Sequence, residues 1–153
     1  MVVISARFSK KRAAIAVVAL GAALAAIVFL AARCGKSGGG TNAATNAERV
    51  AYLSSYGWKV DEVCLEEQSV VIPKEFGAVY ETYNELQRKQ GFDLSEYAGR
   101  DVTRYTYEIL NYANADVTVV ADIIVCGGKV IAGDVQSNSL DGFMTTLSGG
   151  RES

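Results

Sequence analysis

The chain has 153 residues, a net charge of −2, a single proline and no histidine. The missing histidine removes the commonest general base, the usual zinc ligand and every Ser–His or Cys–His nucleophile arrangement. Charge is unevenly spread: residues 1–47 carry six Lys/Arg and no acid, whereas residues 48–153 hold nine basic and seventeen acidic residues, a net of −8. So acidic a segment is a poor nucleic-acid binder, because affinity for phosphate comes from Lys and Arg.

In chain order, residues 1–12 are a basic N-terminus with Arg7, Lys10, Lys11 and Arg12. Residues 13–32, AAIAVVALGAALAAIVFLAA, form an uninterrupted apolar run. As a helix it spans roughly 30 Å, the hydrocarbon thickness of a bilayer. The cations ahead of it keep the N-terminus cytoplasmic, so the rest of the chain is expected outside the cell membrane. Ala23-Leu24-Ala25 fits a signal-cleavage site, but the apolar run continues through Ile27-Val28-Phe29-Leu30, which favours a permanent single-pass signal anchor in contact with lipid. Gly21 and Ala25 make a small-xxx-small pair, a candidate contact for a homodimer, although so Ala-rich a run produces that spacing by chance. Cys34 follows Arg33, where a lipid-attachment motif needs a small residue.

Residues 33–44 read as a flexible linker. Gly35-Lys36-Ser37 resembles the end of a phosphate-binding loop, but Leu30 stands where the first glycine belongs and no strand precedes it. An extracytoplasmic domain is expected over residues 45–147, with a loose tail over 148–153.

The domain opens with a helix: Thr45 and Glu48 have capping-box spacing, and Gly57 is its natural stop. Trp58 to Val60 reads as a short strand and Glu66 to Ile72 as a second, ended by Pro73. Lys74 to Gln90 has the strongest amphipathic pattern, with Phe76, Val79, Tyr80, Tyr83, Leu86 and Gln90 on one side. Three strands follow at Asp101–Asn111, Val117–Val125 and Lys129–Val135. For the Gly127-Gly128 turn a three-residue loop with a bulge is preferred, because it places Ile131 opposite Ile123 and turns Asp134 outward instead of burying a charge. Leu140 to Met144 is expected to fold back as a short turn or helix. The fold class is therefore α+β, an N-terminal transmembrane helix followed by a small domain in which two helices pack on one face of an antiparallel four- or five-stranded sheet.

No motif for catalysis, cofactor binding or metal binding emerges. The cysteines lack CxxC spacing and no acidic run matches a calcium loop. Cys64 and Cys126 are the candidate disulfide pair, the alternative being two separate thiols. Tyr112, in a hairpin loop, is the tyrosine expected to be exposed. Asp122 and Asp134 approach each other across neighbouring strands, on what reads as a solvated face. These three residues form the candidate interaction surface.

The stretches TNAERVAYLSSYGWKV, VVIPKEFGAVYETYNELQRKQGFDLSEYAG, VTRYTYEILNY and GGKVIAGDVQSNSLDGFM resemble the bacterial family called domain of unknown function 4830, over about residues 45–145. That resemblance implies the same layout, a membrane segment, a linker and this domain, and carries no functional residues with it. The sequence reads as a non-catalytic cell-envelope module that binds a protein, a wall polymer or another ligand. The second reading is a small carboxylate-based envelope enzyme or an enzyme inhibitor, favoured if acids line a concave pocket on the sheet.

Overall fold

A computed structural model describes residues 40–113, 117–137 and 142–149 of the chain. The expected span at residues 13–32, with Gly21 and Ala25, lies outside them, as does Cys34. Among the described residues no helix is long and apolar enough to cross a membrane.

Helix α1 (Asn46–Ser55) begins at the expected capping box: the Glu48 amide donates to Thr45 Oγ1, and the Thr45 amide donates to Glu48 Oε2 at 2.9 Å. The chain leaves it at Gly57, whose φ of 84° suits glycine. Strand β1 (Glu66–Val71), helix α2 (Ala78–Arg88), a 3-10 turn (Leu94–Tyr97) and strands β2 (Asp101–Glu108), β3 (Val119–Cys126), β4 (Lys129–Ser137) and β5 (Met144–Thr145) follow. Trp58 to Val60 forms no strand of its own; only Val60 bridges to Ile109. The five strands make one antiparallel meander in chain order. Part of the segment expected as a turn or helix near residue 144 instead supplies β5, which pairs with Val135 and Gln136 of β4.

The helices lie on opposite faces of this sheet, not on one. Tyr52 and Leu53 of α1 pack with Trp58, Tyr107, Ile123, Val135 and Leu147 on the first face. Tyr80 and Tyr83 of α2 pack with Val102, Ile124, Ile131 and Ala132 on the second. Alternate residues of a strand point to opposite faces, so β3, covered on both, is buried along its whole length.

The hairpin between β3 and β4 differs from both simple registers. Gly127 and Gly128, with φ of 55° and 77°, make a two-residue turn that pairs Cys126 with Lys129 and Val125 with Val130. A register shift then occurs between Ile124 and Val125, so Ile131 and Ala132 both reach the second face and Asp134 pairs with Asp122. Asp134 is thus turned away from Ile123 as expected. It is nevertheless buried rather than solvated, because α2 covers that face.

The end of the linker is part of this body. The Ala43 amide donates to Gly128 O at 2.9 Å, the Val130 amide donates to Thr41 O at 3.1 Å, and Ala43 is fully buried. At the other end Leu147 is fully buried, and its carbonyl accepts from Trp58 Nε1 at 2.7 Å.

Candidate functional site

On the second face, α2 does not close down on the sheet along its whole length. It encloses a cleft of about 810 Å³, lined by Val79, Tyr80, Tyr83, Leu86 and Lys89 from the helix side and by Arg104, Asp122, Ile124, Asp134 and Gln136 from the sheet. Val70 and Val71 of β1 and Met144 of β5 complete the walls. That volume is in the range of small-ligand sites. A smaller cavity of about 500 Å³ continues along the same face and shares Arg104, Asp122 and Gln136.

Of the expected stripe, Phe76, Tyr80 and Tyr83 pack on the second face, and polar side chains beside them tie the helix to the body. Buried Gln87 accepts from the Gly133 amide at 2.9 Å, and Gln90 donates to the Gly133 carbonyl at 2.8 Å while accepting from the Leu147 amide at 2.7 Å. Both groups of Gly133, just beyond the short β5 pairing, are thereby satisfied by side chains. Buried Asn84 accepts from the Leu94 amide at 2.8 Å and donates to Asp93 at 2.9 Å, fixing the turn after the helix. With Asn84 and Gln87 facing the body, the helix rotates, and Val79 and Leu86 face the cleft instead. Val79 is 86% exposed.

The floor carries two carboxylates in unlike settings. Asp122 accepts from Thr106 Oγ1 through one oxygen and from Gln136 Nε2 at 2.9 Å through the other, with Arg104 at 3.9 Å. Asp134 accepts from Tyr83 Oη at 2.8 Å through Oδ2, while its Oδ1 has no partner among the described residues. Both residues are at most 3% exposed. Burial pushes the Asp122 carboxyl up, opposed by its hydrogen bonds and by Arg104. Burial pushes the Asp134 carboxyl up to about 7, with Asp122 adding to the rise and the Tyr83 hydroxyl opposing it. Burial also raises the Tyr83 hydroxyl, and neighbouring Asp134 raises it further. Arg104 bridges to Glu66 at 3.1 Å, and its Nε lacks a partner.

The other residues singled out in the sequence lie elsewhere. Tyr112 is not a free loop side chain: it is half-buried on the first face, stacked between Trp58 (6.3 Å, 26°) and Phe143 (5.5 Å, 24°). It therefore shares no surface with Asp122 and Asp134. Cys64 is a free thiol that donates to Glu66 O and Thr106 O, whereas Cys126 is disulfide-bonded, so the expected pair of Cys64 with Cys126 is not formed. The geometry explains this. Cys64 packs on the first face beside Thr106, which pairs with Asp122, four residues and about 13 Å along β3 from Cys126 on the second face. Among the described residues no group of three or more His, Cys, Asp or Glu is placed to hold a metal ion.

No curated protein and no solved structure matches this chain. One family does: residues 52–135, from the middle of α1 to near the end of β4, match the family described as Domain of unknown function (DUF4830). This stretch contains Tyr83, Arg104, Asp122 and Asp134 of the cleft, with Gln136 just beyond it, and covers more than half of the chain, which belongs to that family.

Proposed function

We propose that the protein is a membrane-anchored, extracytoplasmic ligand-binding module of the cell envelope, and that the cleft between α2 and the sheet is its binding site. The observation that carries this reading is the fate of the helix's apolar stripe. Val79 and Leu86 face an open cleft, while polar Asn84 and Gln87 occupy the positions against the body. A helix that served only to complete the core would bury its valine and leucine and leave the amides in water. The apolar run at residues 13–32 and the acidic composition beyond it support the anchor and the extracytoplasmic placement.

A carboxylate enzyme is the second reading, and one observation favours it: two facing aspartates whose settings differ, one hydrogen-bonded through both oxygens and one held near neutrality. Binding is placed first because both oxygens of Asp122 are already engaged, which leaves no nucleophile or base free beside Asp134.

The test is to purify the full chain from its native membrane and identify bound small molecules by mass spectrometry, beside a Leu86→Trp variant that fills the cleft. A molecule retained by the wild type and lost from the variant supports binding. A wild type that binds nothing and hydrolyses a wall substrate, with loss of activity in Asp134→Asn, would move the second reading to first place.

A further inference from the structure

On the reading that the cleft is the binding site, we infer that its ligand is a compact amphiphile with a protonated amine on an apolar body, the ammonium meeting Asp134 Oδ1 beside the Tyr83 ring and the apolar part lying along Val79 and Leu86. Three observations converge on that chemistry. Among the floor carboxylate oxygens, Asp134 Oδ1 alone lacks a partner, on a side chain only 2% exposed. The floor holds two carboxylates against one guanidinium, Arg104 is already shared between Asp122 at 3.9 Å and Glu66 at 3.1 Å, and Glu85 and Lys89 on the helix side offset each other, so positive charge is lacking at Asp134. Third, Tyr80 and Tyr83, edge to face with centroids 6.2 Å apart, line the cleft beside the acid, and aromatic faces favour a cation over an anion. The mouth is apolar, with Val71, Val79 and Met144 exposed around it. Such a combination suits an organic amine better than a hydrated inorganic cation, which keeps oxygen ligands on several sides.

Binding follows the charge of Asp134. The titratable groups that share the cleft with it are Tyr80, Tyr83 and Glu85 from α2, Lys89 just after that helix, Arg104 from β2 and Asp122 from β3, with Glu66 of β1 bridged to Arg104. With the Asp134 carboxyl at about 7, its ionised fraction falls about tenfold between pH 8 and pH 6, and amine affinity falls by the same factor.

Three probes on the same phenylethyl body separate the inference from the reading beneath it: 2-phenylethylamine, 2-phenylethanol and 3-phenylpropionate, titrated by calorimetry into the full chain in nanodiscs, against empty nanodiscs. The expected result is an amine Kd at least ten times lower than that of the alcohol or the acid. It weakens about tenfold from pH 8 to pH 6, and the preference disappears in Asp134→Asn. Val79→Asn, a change at an exposed position that leaves folding intact, weakens all three probes. Equal binding of amine and alcohol by the wild type, sensitive to Val79→Asn, would overturn the amine and leave the cleft as a site. If no probe senses Val79→Asn, both inference and site are wrong.

Discussion

The two faces of the sheet are built from the same strands yet finished differently. The first is densely packed: Leu53, Trp58, Tyr107, Ile123, Val135 and Leu147 form one buried cluster under α1. Its polar groups are fully answered. The buried Arg49 guanidinium donates to Tyr107 Oη at 2.8 Å and to the carbonyls of Ala43 and Ala44 at 3.2 Å, and lies 3.7 Å from the Tyr105 ring centroid. On the second face the same fold leaves a cleft of about 810 Å³, an acid lacking a partner on one oxygen, and exposed Val79 at the rim. Burying polar groups without partners costs stability, and a protein retains such features where function needs them. The first face holds the domain together; the second carries the proposed binding site.

That contrast predicts unequal responses to substitution, from large to small. Leu53→Ala on the densely packed face should cost about 2–5 kcal/mol in chemical denaturation, as expected of a fully buried leucine; a loss below about 1 kcal/mol would mean that the first face is not closely packed. Gly133→Ala should cost about 1–3 kcal/mol, because its Cβ would stand 2.8 Å from Leu147 and 2.9 Å from the Asp122 carbonyl. Val79→Asn, at the cleft mouth, should change stability by less than about 0.5 kcal/mol while altering ligand binding; a large loss would make Val79 part of the core. Cys64 and Cys126 should differ in chemistry without any change in stability. Alkylation of the unreduced, unfolded chain followed by peptide mapping should label Cys64 and spare Cys126.

Much of the first face was legible in the sequence, because its signals are local. The Thr45–Glu48 capping box, the glycine exit at Gly57 and the apolar odd positions of β3 each follow from a side-chain period or a backbone requirement. The second face was not. Asp122, Asp134, Asn84 and Gln87 are polar, and in periodicity alone a polar residue means solvent. Here each is buried because a partner distant in sequence meets it: Gly133 for Gln87, Leu94 for Asn84, Tyr83 for Asp134. The register of Asp134 depended on combining a two-glycine turn with a bulge one step later, a combination whose separate parts are both ordinary. Tyr112 was misplaced for a related reason: its hairpin loop is covered by Trp58 and Phe143, contacts that no local pattern announces.

The central claim, that the second face carries an acid retained against the interest of the fold, is tested most directly by unfolding the full chain and its Asp134→Asn variant at pH 5 and pH 8. Buried Trp58, the only tryptophan, reports the transition. Because the folded Asp134 carboxyl, at about 7, lies above its ordinary 3.8, the native state binds the extra proton between those values. The associated stability is therefore full below about pH 4 and lost as pH rises through 7, a swing on the order of 4 kcal/mol for this group. Asparagine mimics the protonated acid. The variant should be more stable than the wild type by about 1.5 kcal/mol at pH 5 and by about 4 kcal/mol at pH 8. A variant less stable than the wild type at both values would contradict the claim, because it would make Asp134 a structural residue of the domain.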